Sequence, residues 1–301
     1  MLSVIVPTRN RSGSLKNLLA SFERSILSED DRVEVLIIDN GSDDATSFTL
    51  EREAQQHRRF PLKLLHEEKR GKANALNLGL SNSSGDVILI LDDDVVVEPE
   101  TFHQHLKAHA ETSFAALQGK ILPGRDSFGR TADLEKLREY NIPHIDYGEE
   151  LREIRGLTGT NMSFTRQVFE KVGFFDTRLG PGAAGFSEDT EYSVRIRQAG
   201  FRIGYTPDAV VYHELDPNRY GREYNRMVEY RKGLSRSIYR HDSIPFRVIP
   251  DLMANCLRYG IYSLLGKKQK AYKTEGRIMK CWGYLAGKTS GVFSRNSQRH
   301  V

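Results

Sequence analysis

Five apolar residues, Val87-Ile88-Leu89-Ile90-Leu91, run without a break into three adjacent carboxylates, Asp92-Asp93-Asp94. No other stretch limits the fold as tightly. The run is short, rich in branched side chains and preceded by the turn pair Gly85-Asp86. That predicts a strand buried on both faces, as in a parallel sheet covered by helices. Such sheets bind ligands at the carboxyl ends of their strands. Three anions at one strand end repel each other, and a hard divalent cation with oxygen ligands is the simplest reason for them to stay together. A polar loop capping the next helix is the plain alternative, and the apolar run before it argues against that reading.

The rest of the chain fits around this strand. Leu2 to Pro7, Val33 to Ile38 and Leu62 to His66 read as three earlier strands, each followed by a helical stretch. The first helix opens at Ser12 or Ser14 and carries an apolar stripe of Leu15, Leu18, Leu19, Phe22 and Ile26. The second runs from about Ala45 to Gln56 and the third from Gly71 to Leu80. Strand alternating with helix four times predicts an α/β fold with a doubly wound layer. Polar clusters at residues 8–11, 39–44 and 92–94 close three of these strands, so one ligand site at one edge of the sheet accounts for all three.

Downstream, a helix is expected over Pro99 to Ala110, with Pro99 in its first turn. A strand follows over Ala115 to Leu122. Residues 123–155 read as an irregular, variable binding segment, and the strand Leu157 to Phe164 restores order. A short helix, Gln167 to Val172, precedes the Gly-rich loop Leu179 to Gly185. That loop delivers Glu188 and Asp189 to the start of a helix running to Ala199. Short strands over Arg202 to Tyr205 and Ala209 to Tyr212 end at His213. Helices over roughly 219–240, 246–265 and 268–286 then form a basic extension, and the last ten residues are expected to fray. The expected organisation is a domain over 1–215 and a helical extension over 216–301.

Composition narrows the partners. The formal charge of the 301 residues is only +4, too weak a bias to argue for nucleic acid. Arg and Lys gather in the last third, which suits an anionic membrane surface or an anionic substrate as well as a solvated helical face. Cys256 and Cys281 lie far apart without ligand spacing, and no secretory leader is recognised, so a reducing cytoplasm is expected. No stretch reaches the roughly 18 apolar residues a spanning helix needs. Phe246 to Leu265 comes nearest, but Arg247, Pro250, Asp251, Asn255 and Arg258 interrupt it. It reads as a packed amphipathic helix or one lying on the inner face of a membrane.

The clusters suit transfer from a diphosphate. Negative charge grows on that leaving group as its bond to carbon breaks, and a bridging metal stabilises it. Asp94 is expected to hold the metal. Asp92, two residues back on an extended chain, faces the same way and reaches the metal or a ribose hydroxyl. His213 offers a second, imidazole ligand. Asp39 can accept a hydrogen bond from a base N–H. Asp189 with Glu188 can serve as general base for an attacking hydroxyl; a helix dipole alone would also explain two carboxylates there.

These motifs, in order, resemble family 2 glycosyltransferases of the GT-A type. The matching stretches are Val4 to Arg11, Ile38 to Asp44, Arg70 to Asn77, Leu91 to Asp94, Gly159 to Phe164, Glu188-Asp189, Gly200 to Ile203 and Tyr205 to His213. Each is weak alone; the ordered set over about 1–215 is strong. The resemblance implies a GT-A-like, mixed but mostly parallel sheet with helices on both faces. It implies a nucleotide-sugar donor (UDP- or dTDP-type) bound by Pro7, Thr8, Asn10, Arg11 and Asp39. Asn40, Arg70, Lys72 and Asn74 belong to the same expected set. It further implies Mn²⁺ or Mg²⁺ on Asp94, ribose contact by Asp92 or Asp93, and Asp189 as base in a single inverting displacement. The acceptor would be a hydroxyl of a glycan, polysaccharide or lipid-linked sugar. Phe186 and Ser187 stand before Glu188-Asp189 where the family commonly has glycines.

Two other classes are weaker. Asp92-Asp93-Asp94-Val95-Val96 after an apolar strand also fits the Asp-x-Asp-x-Val motif of haloacid-dehalogenase-like phosphatases. That motif usually ends the first strand and needs a later Gly-Asp-x-x-x-Asp, whereas here it ends the fourth and no such sequence follows. A non-catalytic nucleotide-sugar-binding subunit would not need both Asp94 and Asp189.

Overall fold

A computed structural model describes residues 1–55, 59–126, 144–219 and 221–289. They form two compact units. The first comprises the described residues of Met1–Asp133, Ile142–Thr177 and Glu188–Asp216; the second comprises Arg178–Ser187 and the described residues of Pro217–Val301.

The first unit is an α/β layer. Its elements are β1 (Leu2–Thr8), α1 (Ser12–Phe22), β2 (Val33–Asp39), α2 (Thr46–Ala54), β3 (Leu62–His66), α3 (Lys72–Asn82) and β4 (Val87–Leu91). They continue as β5 (Val95–Val97), α4 (Thr101–Glu111), β6 (Ala116–Asp126), β7 (Arg152–Ile154), β8 (Asn161–Thr165), α5 (Arg166–Val172), α6 (Glu188–Gln198) and β9 (Ile203–Leu215). One mixed sheet results, in the order β3-β2-β1-β4-β8-β6-β9-β5, with β7 paired to β9. The strands β3, β2, β1 and β4 run parallel, and β8 is antiparallel to β4 and β6.

Alternation along the strands divides the core in two. Val4, Val6, Val35, Ile37, Leu89 and Leu91 face one side, with Leu15, Leu18 and Phe22 of α1, Leu50 of α2 and Phe102 of α4. Ile5, Leu36, Ile38, Ile88 and Ile90 face the other, with Leu76 and Leu80 of α3, Val168 of α5 and Tyr192 and Ile196 of α6. Each fully buried aliphatic side chain contributes about 1.5–3 kcal/mol.

Several boundaries differ from expectation. The helix α1 ends at Phe22, so Ile26 falls beyond the stripe and is 55% exposed. α4 starts at Thr101, leaving Pro99 ahead of its first turn. β8 starts at Asn161, because residues 157–160 form the loop that leads into it. The two short strands expected near the end are one strand, β9, which contains Pro207. Pairing with β6 jumps from Gly119↔Thr206 to Lys120↔Val210, so Pro207, Asp208 and Ala209 form a bulge where a missing N–H costs no ladder bond. Within 123–155, β6 extends to Asp126 and β7 adds a short pair. Ile145 bridges to Ile121, while residues 127–143 of that proposed binding segment and the last ten residues lie outside the described residues.

The second unit is helical: α7 (Gly221–Tyr239), a π-helical turn (Ile244–Val248), α8 (Ile249–Leu264) and α9 (Lys268–Thr289). α7 and α9 meet through glycines. A Cβ on Gly283 would lie 1.9 Å from the Tyr230 carbonyl oxygen, and one on Gly233 would lie 2.1 Å from the Lys280 carbonyl oxygen. Gly→Ala within a helix ordinarily stabilises by up to ~1 kcal/mol. At Gly283 the sign reverses, because the backbones must separate; Gly283→Ala is expected to lower stability by about 1–3 kcal/mol. Gly260 of α8 has nothing within 4 Å of its missing Cβ, so Gly260→Ala is expected to raise the melting temperature. Thermal unfolding of both variants checks the pair.

Candidate active site

The site forms where strand register brings carboxyl ends together. β1 pairs with β4 as Ile5↔Ile90, and the same offset sets Thr8 beside Asp93. Thr8 Oγ1 donates to Asp93 Oδ2 at 2.7 Å. β4 pairs with β8 as Leu91↔Asn161, which sets Thr160 beside Asp92. Thr160 Oγ1 donates to Asp92 Oδ2 at 2.7 Å. After the triplet the chain enters β5, where Val95 pairs with His213 and the Glu214 N–H donates to the Asp94 carbonyl. Two residues as distant in sequence as Asp94 and His213 are thereby fixed side by side.

Asp92, Asp94 and His213 each offer a ligand atom, all within 4.8 Å of one another. His213 Nδ1 donates to the Glu214 carbonyl at 2.7 Å, which sets the tautomer. Nε2 lies 3.2 Å from Asp94 Oδ1. Two carboxylates and an imidazole converging this closely fit a divalent cation. Arg11 Nη2 lies 3.6 Å from Asp94 Oδ2. Burial works against its guanidinium, but Asp94, Asp93, Asp216 and Glu214 outweigh that and raise its pKa.

A second charge cluster adjoins the first. The Lys72 ammonium is hydrogen-bonded to Asp92 Oδ1 and lies 3.6 Å from Glu188 Oε1. Burial disfavours an ionised Asp92, yet Lys72, Thr160 and His213 hold its carboxyl down to about 2. Burial pushes Glu188 up to about 7 against the pull of Lys72, with Asp189 and Asp92 adding to the rise. Burial, then Asp94, likewise pushes Asp93 up to about 7. Neighbouring carboxylates are thus driven to different protonation states at neutral pH. Glu188 and Asp189 form the first turn of α6. Asp189 is half-buried; its Oδ2 accepts from the Gly159 N–H at 3.1 Å and its Oδ1 from the Thr190 N–H at 2.5 Å.

The other expected site residues also make contacts within the framework of these strand ends. Pro7 lies in buried β1 beside Ile38. Asn40 donates to the Glu67 and Lys69 carbonyls and accepts from the Gly71 N–H, fixing the turn that launches Lys72. Gly71 has φ 135°, open to glycine alone. Asp39 binds Ser42 and Ser47, and Asn10, at φ 55°, exchanges hydrogen bonds with Asp43. Arg70 is exposed, and Asn74 donates back to its carbonyl.

Sequence reasoning missed a buried polar chain beneath β8. Asn161 Oδ1 meets His105 Nε2 at 2.9 Å, His105 Nδ1 meets Ser163 Oγ at 2.9 Å, and Ser163 Oγ meets His109 Nε2 at 2.8 Å. Its signal was the pair of histidines four apart on α4 and the polar residues inside β8. Burial lowers His105 to about 4 and, with His105 nearby, His109 to about 3. Unfolded, both titrate near 6.5. Their contribution to stability is therefore complete above that pH and is lost as pH falls toward 4. Both ring signals are expected to stay neutral from pH 7 to pH 5 in an NMR titration.

The sequence profile described as Glycosyl transferase family 2 matches residues 3–173. The chain belongs to that family. A glucosyl-dolichyl phosphate glucuronosyltransferase of Haloferax volcanii is 31% identical over 157 residues, 50% of each chain. A probable glycosyltransferase of Bacillus subtilis, YdaM, is 22% identical over 240 residues, 77% of this chain and 54% of that protein. The chain thus spans about half the length of these curated relatives. The mannosyltransferase PcManGT from Pyrobaculum calidifontis, solved with GDP-Man and Mn²⁺, superposes with a TM-score of 0.64 at 19% identity, over 96% of this chain and 87% of that one. S. aureus TarS 1-349 in complex with UDP gives 0.56 at 16% identity, over 96% and 91%. The sheet and its helices are the GT-A fold of this family.

Proposed function

We propose that this chain is an inverting glycosyltransferase that moves a sugar from a nucleoside diphosphate to an acceptor hydroxyl. The observation that carries the reading is the convergence of Asp92, Asp94 and His213 at the strand ends, with Thr160 bonded to Asp92 and its neighbour Gly159 bonded to Asp189. Mn²⁺ or Mg²⁺ bound there supplies the positive charge that stabilises the departing diphosphate. Thr8, Arg11 and Asp39, at the ends of β1 and β2, bind the nucleotide, and Asp93 takes the ribose side. The acceptor oxygen attacks the anomeric carbon opposite the diphosphate. A carbon–oxygen bond forms, the bond to the diphosphate breaks with its electron pair on the leaving oxygen, and the acceptor proton goes to Asp189. Lys72, between Asp92 and Glu188, holds Asp92 in place, and the Gly159 and Thr190 N–H groups hold Asp189. A lipid-linked sugar is the acceptor class that the H. volcanii relative's name suggests.

The family and the GT-A neighbours support transfer rather than phosphatase chemistry. A panel of UDP-, dTDP- and GDP-sugars, assayed for nucleotide release with Mn²⁺ or Mg²⁺, tests the proposal. At least one donor is expected to turn over in a metal-dependent way, with the product anomer inverted by NMR. Retention of configuration would refute the single displacement, and no turnover or binding across the panel would refute transfer.

A further inference from the structure

The second unit exposes an apolar helix face that glycosyl transfer does not require. On α8, Ile249 is 41% exposed, Met253 and Leu257 68% each, Ile261 45% and Leu264 90%. At 100° per residue these five positions span an arc of roughly 120°. Asn255, buried, lies opposite, where α8 packs against α9. Phe246, in the π-helical turn just before α8, is 87% exposed and continues the stripe. Isolated exposed apolar residues are ordinary, but an unbroken row along a whole helix marks an interaction surface.

Charge identifies what covers it. Residues 246–289 hold nine Lys and Arg against two acids, Asp251 and Glu275. Arg258, Lys267 and Lys268 are exposed at or just beyond the far half of α8, and Asp251 lies well off the apolar arc. Two copies meeting across this face would bring like charges together. An anionic surface would be attracted and would also accept the apolar row. None of the described helices is long and apolar enough to cross a membrane. A helix with this pattern lies in the interface instead, its apolar side sunk among the headgroups.

We infer that α8 is a peripheral anchor which lays Phe246, Met253, Leu257 and Leu264 into an anionic lipid bilayer, with Arg258, Lys267 and Lys268 at the headgroups. The inference stands apart from the reading of the carboxylate site. The α8 residues named are exposed, so their replacement leaves the fold intact.

Flotation of the full chain tests it, with vesicles of phosphatidylcholine containing phosphatidylglycerol and with phosphatidylcholine alone. The wild type is expected to float with the anionic vesicles, several-fold less with the neutral ones, and less as salt rises. Met253→Glu with Leu257→Glu is expected to weaken flotation roughly tenfold or more at an unchanged melting temperature. Lys267→Glu with Lys268→Glu gives a second readout, a loss confined to the salt-sensitive part. Failure of the wild type to float, or equal flotation of the apolar double variant, would overturn the anchor. So would a wild-type dimer that the apolar double variant dissolves without any vesicle binding, which would make the face a self-association surface.

Discussion

Asp94→Asn is expected to reduce transfer by roughly 10³-fold, because it removes a charged ligand from the cluster that stabilises the leaving diphosphate. The replacement is isosteric. The Asp94 carbonyl still accepts from the Glu214 N–H, so the turn from β4 into β5 stays in place. What is lost is one of the two carboxylates that converge with His213, and the partner that Arg11 meets at 3.6 Å. The effect should divide between binding and turnover. Nucleoside diphosphate affinity in Mn²⁺ falls with kcat/KM, since the same atoms serve both. Raising the Mn²⁺ concentration should recover part of the loss, which a purely structural defect would not show.

Asp189→Asn is expected to behave differently. Transfer should fall by roughly 10²–10⁴-fold, the range that a general base contributes. Nucleotide and metal affinity should be unchanged, because Asp189 bonds to Gly159 and Thr190 rather than to the metal cluster. Single-turnover kinetics with bound donor would place the loss in kcat. Glu188 is not expected to replace it. It is buried, and its place beside Lys72 suits holding Asp92 more than reaching an acceptor. An Asp189→Asn enzyme with intact turnover would move the base elsewhere.

Much of this architecture was legible from residue pattern. The apolar run into Asp92-Asp93-Asp94, and the polar clusters after two other strands, required a sheet with its ligand edge at those ends. Strand alternation is a local property, and burial on both faces follows from continuous apolar runs. Asp92 and Asp94 sharing a direction followed from the two-residue period of an extended chain. Distances across strands were not legible. His213 was expected as a second ligand beside Asp94, but its 3.2 Å approach and the Thr160–Asp92 bond depend on register between β5 and β9 and between β4 and β8, which neither strand encodes alone. Asn40 looked like a ligand-facing residue; its amide is spent on three backbone groups that shape the Lys72 turn. The break between Gly119 and Lys120 merges two expected strands into one, because a three-residue bulge absorbs Pro207. His105 and His109 are buried by contacts with Asn161 and Ser163 of β8, which the spacing within α4 does not reveal.

The central claim is that Asp92, Asp94 and His213 bind a divalent cation through which the nucleoside diphosphate is held. Titration calorimetry of UDP and GDP with Mn²⁺, with Mg²⁺ and with chelator tests it most directly, in the wild type, Asp94→Asn and His213→Ala. At least one nucleotide is expected to bind the wild type at least roughly tenfold more tightly with metal than with chelator, and both variants are expected to lose that difference. Equal affinity with and without metal in the wild type, or a metal effect that survives Asp94→Asn, would contradict it.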